Sequence, residues 1–259
     1  MEFENIVYEK KDHTATIAIN RPKVYNAFTY DTICDLHRAF EDAVGDSSIR
    51  VIVLTGKGGH FSTGGDINWE KDFDINKGKE MISKCISLSN TMRNGGKPII
   101  AAVRGYCIGG GNELNLLCDV TIASENAVFG QAGPKVGSAP LWYGTQMLPR
   151  IVGEKKAREI IFWCRKYSAA EAEKMGLVNK VVKDEELEEE VRKWCDEIRF
   201  MSPQAIKISK VSMNFESDLL YPSVIHGLNM LILTYGTEEF REGMSAFLEK
   251  RKPDYNKKR

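Results

Sequence analysis

The stretch Thr14 to Ile19 (TATIAI) alternates in the manner of a half-buried strand, and Asn20-Arg21-Pro22 ends it. Helical spacing follows from Thr29 to Val44, with Ile33, Leu36, Phe40 and Val44 on one face. Val51 to Leu54 is a β-branched run closed by Gly56, and residues 76 to about 93 predict a helix. Ile99 to Val103, Val120 to Ala123 and Val128-Phe129 predict three further strands. Strands alternating with helices predict an α/β core with right-handed crossovers. From Glu154 onward the pattern is nearly all helical, with segments near 154–165, 168–175, 185–200, 203–213 and 220–250. The shift at Met201-Ser202-Pro203 divides the chain into a core, 1–200, and a C-terminal helical region, 201–259, expected to serve oligomerisation. Lys250 to Arg259 is basic and polar, and its end is expected to fray.

Composition narrows the picture by exclusion. The chain has 259 residues, 42% hydrophobic and 28% charged, with a formal net charge of zero. That balance argues against a nucleic-acid or membrane-surface partner. The first twenty residues lack the apolar core of a signal peptide, and no run reaches the length of a membrane helix. Six cysteines are scattered without a CxxC pair, as expected of free thiols in a reducing cytoplasm. Four dispersed histidines argue against a metal site.

Two glycine-rich segments carry the candidate chemistry. In HFSTGGDINW, Gly64-Gly65-Asp66 follows an apolar strand; in RGYCIGGGNELNLLCDV, Gly109-Gly110-Gly111 precedes a short helical pattern. Glycine lets a ligand approach the backbone closely. A helix beginning after the triple glycine would aim free N–H groups and its positive end at that ligand. Either segment alone also reads as a tight turn, and Asp66 also reads as a helix N-cap.

Taken together at this spacing, the segments resemble the crotonase (enoyl-CoA hydratase/isomerase) superfamily. The resemblance runs from INRPKVYNAF through both glycine segments and FGQAGPKVGS to EGMSAFLEKRKPDY. It implies a spiral of strand–strand–helix units with a C-terminal helical region, assembled as a homotrimer or homohexamer. It implies an acyl-CoA thioester substrate held by the N–H groups of Gly65 and Gly110. Such donors stabilise the enolate oxygen that forms when a proton is added or removed beside a thioester. By the same resemblance, coenzyme A lies along Lys23, Val24, Ser62, Gly64, Asp66 and Ile67. It enters as part of the substrate, with no separate cofactor.

Hydratases of this superfamily use two glutamates. The first matches Glu113, expected to activate water and, at a helix start, to be favoured as the carboxylate. The second falls on Gly133, so that carboxylate is missing. Glu113 serving both proton steps, a tyrosine, or a water are the open substitutes. FGQAGPKVGS is similar to naphthoate synthases and ketocyclohexanecarboxyl-CoA hydrolases, some of which hold bicarbonate beside the matching glycine. Their aspartate seven residues on is Pro140 here, which agrees with hydratases instead. Tyr235, in LTYGTEEF, matches a catalytic tyrosine of the ring-acting branch; it also reads as a half-buried helix tyrosine. Gly133, Ser138, Trp142 and Tyr143 are expected at the acyl end, where Trp142 suits a cyclic group or is ordinary core. The resemblance thus implies a lyase hydrating an α,β-unsaturated acyl-CoA, cyclic and dienoyl acyl groups included. Carbon–carbon hydrolysis or ring closure on a ketoacyl-CoA is the alternative, and a non-catalytic acyl-CoA-binding remnant the third.

Overall fold

The computed structural model describes residues 2–256, so the final three residues of the tail expected to fray lie outside the described residues. A six-stranded sheet forms the spine. It contains β1 (Ile6–Lys11), β2 (Thr14–Ile19), β3 (Val51–Gly56), β4 (Ile99–Val103), β6 (Val120–Ser124) and β9 (Lys180–Val182), in the order β1-β2-β3-β4-β6-β9. Only β1 runs antiparallel to its neighbour; the other pairings are parallel. A second sheet, β5-β7-β8, joins β5 (Tyr106–Ile108), β7 (Val128–Gly130) and β8 (Lys166–Ser168).

Period two explains why the main sheet is buried on both faces. Ile52, Leu54, Ile99, Ala101 and Val103 face the larger core, under α1 (Tyr30–Gly45) and near α2 (Ile67–Glu70) and α3 (Ile75–Asn94). Val51, Val53, Ile100 and Ala102 face the opposite way. Helices α4 (Gly110–Leu116), α5 (Gly144–Val152), α6 (Glu154–Trp163) and α7 (Ala169–Lys174) add Leu114, Leu148, Ile160 and Ala172 to the larger core, whereas α8 (Leu187–Ile198) covers this opposite face with Leu187, Val191 and Cys195. In α1, Ile33, Leu36 and Phe40 are fully buried, as their spacing predicts.

The C-terminal region holds α9 (Pro203–Asp218), α10 (Tyr221–Ile232) and α11 (Glu238–Leu248). Ser202 caps α9, its hydroxyl accepting from the Ala205 N–H at 3.3 Å. Two buried cations fasten α9 to the core. Lys210 reaches Asp119 at 2.7 Å and the Lys97 carbonyl at 2.9 Å. Arg93 reaches both Asp218 and Ser217 at 2.7 Å. The single helix expected over 220–250 is instead two. Gly236, at φ +76°, breaks it, and Thr237 caps the second by accepting from the Phe240 N–H. Tyr235 therefore sits in a connection, not on a helix.

Candidate active site

The loop after β3 is laid beside two others by backbone pairing. The Phe28 N–H donates to the Gly64 carbonyl at 2.9 Å, and the Asp66 N–H donates to the Phe28 carbonyl at 3.0 Å. Alternation along this short bridge turns the Gly65 N–H away from Phe28, and it finds no acceptor among the described residues. On the far side, the Ile108 N–H donates to the Ser62 carbonyl at 3.0 Å, which brings β5 and the triple glycine alongside. Gly110 opens α4, where the first amides have no partner within the helix. The two glycine segments touch: a β-carbon on Gly64, whose φ is +91°, would lie 2.7 Å from the Gly110 nitrogen. Only glycine tolerates both that conformation and that approach.

Asn26 and Ser62 support this arrangement from beneath. The Asn26 amide donates to the carbonyls of Lys57 (2.8 Å) and His60 (2.6 Å). The Ser62 hydroxyl donates to the Asn26 carbonyl at 2.8 Å and accepts from the Gly64 N–H at 3.1 Å. Ser62 is fully buried, so its side chain shapes the loop and presents no surface along which coenzyme A was expected to lie. Asn26 escaped the sequence reading, although its place in the RPKVYNAF turn marked it as a backbone-bonding residue. Asp66 is a cap, accepting from the Asn68 N–H at 3.2 Å, and it pairs with Arg21 at 3.0 Å. Lys23 is exposed, and Val24 and Ile67 are half-buried.

Glu113 lies on α4 with 6% of its surface exposed, which rules out a solvated first-turn glutamate. The Trp142 N–H donates to its Oε1 at 2.9 Å, and the Gly144 N–H, at the start of α5, donates to the same carboxyl. Burial nevertheless pushes its pKa up to about 8, against those two donors and with a further push from Glu70. The expectation that the helix start favours the carboxylate is therefore corrected. In a seven-residue helix the dipole is outweighed by desolvation.

Gly133 is filled from another direction. A β-carbon there would lie 2.9 Å from Ala139 Cα and 3.0 Å from Ala139 N. The backbone of 138–139 takes the space into which a side chain would grow. Ser138 lies in a surface cavity of about 800 Å³ with Thr234, Glu239 and Tyr255, a lining that includes neither Gly65, Gly110 nor Glu113. Trp142 and Tyr143 are both core residues. The Trp142 Nε1 donates to the Ser89 hydroxyl at 2.6 Å, and its ring meets Phe28 edge-on at 6.0 Å. Phe28 in turn abuts Gly110, so Trp142 backs the glycine loop from behind. Tyr143 lies under the Arg93 guanidinium, 5.3 Å from its ring centroid.

Tyr235 does reach this region. Its ring packs on Phe73 (5.3 Å) and Phe240 (5.2 Å), and its hydroxyl makes no hydrogen bond to the described residues. Burial, with the charges of Glu70, Cys85 and Glu113 nearby, drives its pKa well above the ordinary phenol value. A second residue overlooked in the sequence is Glu70. A β-carbon built on Gly65 would overlap its carboxyl group. Its place one turn beyond the Asp66 cap is visible in the sequence, but its contact with Gly65 is not.

A family model for enoyl-CoA hydratase/isomerase matches residues 9–258. The chain belongs to this family. Its fold agrees with that of an enoyl-CoA hydratase from Mycobacterium avium subsp. paratuberculosis K-10, 27% identical over 98% of this chain and 100% of that one, with a TM-score of 0.90. An enoyl-CoA hydratase/isomerase from Xanthobacter autotrophicus Py2 is 28% identical over 96% and 98% of the two chains, with a TM-score of 0.88. Subunit I of an enoyl-CoA hydratase from Geobacillus kaustophilus HTA426 is 33% identical over the full length of both, with a TM-score of 0.80. This enoyl-CoA hydratase/isomerase family member thus has the crotonase fold expected from its glycine segments. Among its described residues no helix is long and apolar enough to cross a membrane.

Proposed function

We propose that this protein is a lyase that adds water across the double bond of an α,β-unsaturated acyl-CoA. The observation that carries the reading is a buried, backbone-held Glu113 on the same short helix whose first amide, Gly110, joins Gly65 as an unpartnered donor. The thioester oxygen takes both N–H groups. The Glu113 carboxylate removes a proton from water as the hydroxyl oxygen bonds to the β-carbon, and the displaced electron pair moves through the α-carbon to the oxygen. Two fixed donors in a site screened from water stabilise that charge without reorganising. Lys23, Val24, Gly64 and Ile67 are the proposed coenzyme A contacts. The phenol of Tyr235 is the proposed donor at the far end of the acyl group.

The test uses crotonyl-CoA, a cyclic 1-ene-1-carbonyl-CoA and a cyclic dienoyl-CoA, followed by loss of the conjugated thioester absorbance and by product mass. Gain of one water by the wild type, and its loss by orders of magnitude in Glu113→Gln with coenzyme A binding intact, is the expected result. Full turnover in that variant would remove Glu113 from the mechanism.

Tyr235 favours a second reading, carbon–carbon hydrolysis or ring closure on a ketoacyl-CoA. Dependence on added bicarbonate and on Tyr235 would distinguish it. The filled space at Gly133 counts against bicarbonate binding there. A trimeric or hexameric assembly is supported by apolar side chains exposed on α9, among them Met213 (80%) and Phe215 (69%), and light scattering would measure it. The scattered free thiols support a cytoplasmic location.

A further inference from the structure

Glu70 stands out because nothing in the protein uses it. Its carboxyl group makes no hydrogen bond or ion pair among the described residues, while Asp66, one turn earlier, takes both the cap and the Arg21 pairing. Its carboxyl lies over the backbone of Gly65, the residue whose N–H is a proposed oxyanion donor. Glu70 is half-buried, and a carboxyl group drawn into protein without a partner is unfavourable; sites of chemistry are where such groups concentrate. Titratable groups come toward it from four directions: Asp66 at the cap of α2, Cys85 on α3, Glu113 on α4, and Tyr235 between α10 and α11. None is a cation, and Arg21, which pairs with the neighbouring Asp66, makes no ion pair with Glu70.

We infer that Glu70 is the second proton-transfer group of this site, replacing the carboxylate missing at Gly133 and delivering the proton to the α-carbon of the bound thioester. The inference rests on the hydration reading for its direction, and on geometry for its place. An enolate oxygen held on the Gly65 N–H puts the α-carbon two bonds away, beside the Glu70 carboxyl. In the forward step Glu113 takes one proton from water and the hydroxyl oxygen bonds to the β-carbon. The enolate then collapses, its electron pair forming a carbon–hydrogen bond with the proton of neutral Glu70. Glu70 is left as carboxylate and Glu113 as acid, and one proton exchanged through solvent resets both. Burial, with Asp66 adding to it, pushes the Glu70 pKa up to about 8, which keeps the acid form populated at neutral pH.

The experiment compares wild type, Glu70→Gln and Glu70→Asp in two assays. One is hydration of the enoyl-CoA set. The other is exchange of the α-hydrogen of butyryl-CoA and cyclohexanecarbonyl-CoA in D₂O, which needs the enolate and the α-proton carrier but no water addition. Circular dichroism and coenzyme A titration check folding and binding. Glu70→Gln should lower both activities about 10²- to 10⁴-fold with coenzyme A affinity unchanged. It should also abolish the high-pH limb of the rate profile, which a purely structural role would leave in place. Glu70→Asp should keep that limb at a reduced rate, and it decides the matter if the glutamine variant does not fold. Wild-type exchange in Glu70→Gln, or loss of the limb in a folded Glu70→Asp, would overturn the assignment. A wild type that exchanges but never hydrates would sink the hydration reading alone, leaving Glu70 to stand or fall on the exchange rate of Glu70→Gln. A wild type that does neither would overturn both.

Discussion

Replacing Glu113 by Gln should raise stability at alkaline pH while removing activity. The pKa of Glu113 rises from 4.5 to about 8 on folding, chiefly through burial. A carboxyl raised in this way supports the fold fully below pH 4.5, where it is neutral in both states. That support is lost as pH rises toward the folded value, because the unfolded chain releases the proton first. Linkage between the two pKa values gives a loss of about 3 kcal/mol at pH 7 and about 5 kcal/mol at pH 9, relative to acid pH. Glutamine never ionises, and its carbonyl can accept from the Trp142 and Gly144 amides as the carboxyl does. The stability difference between variant and wild type should therefore open with pH, near zero at pH 4.5 and several kcal/mol in the variant's favour at pH 9. Urea unfolding of both proteins at a fixed protein concentration and a series of pH values measures it, and other titrating groups largely cancel in the comparison. A pH-independent difference, or a variant less stable at pH 9, would refute the claim that Glu113 is held in a desolvated site.

Other expectations follow from the same geometry. Because Glu113 must lose a proton and Glu70 must hold one, and both have pKa values near 8, the hydration rate should rise and then fall with pH, with its apex near 8; a plateau across pH 6 to 10 would contradict this. Gly64→Ala should cost about 10²- to 10³-fold in turnover, because the added methyl would press on the Gly110 amide at φ +91°, and steady-state kinetics measure it. Gly133→Glu should not restore a hydratase acid. With Ala139 Cα 2.9 Å from the new β-carbon, it should destabilise the protein by about 1–3 kcal/mol, read as a lowered melting temperature, and leave the rate no higher.

The sequence was most legible where periodicity is long and unambiguous. Helix α1 and strands β3 and β4 carry runs whose burial follows directly from their spacing. Strands β1, β5, β8 and β9 were missed: β1 has a mixed pattern, and the others are three residues long, too short for a period to register. The break in the last helical segment was written in Tyr235-Gly236-Thr237, a left-handed glycine followed by a capping threonine, but the apolar run across it masked the signal. In the site, Gly65, Gly110 and Glu113 were legible as candidates because backbone donors and their glycines leave a motif. Glu70 left none. Its position depends on the four-residue helix α2 folding back over Gly65, a contact that spacing alone does not disclose. The ionisation of Glu113 was misjudged for a related reason: a helix start is visible in the sequence, whereas the protein packed around it is not.

The amides proposed to grip the thioester belong to the main chain, fixed by the bridges from Phe28 to Gly65 and from Ser62 to Cys107. Main-chain atoms are the same in every residue type, so that grip can outlast extensive change in the surrounding side chains. The group proposed to face the rest of the acyl chain, Tyr235, is carried by an inter-helix connection. The molecule thus separates an anchor that tolerates little variation from a periphery open to it. A laboratory seeking new acyl specificities should diversify position 235 and leave Glu70, Glu113, the glycines and Asn26 untouched.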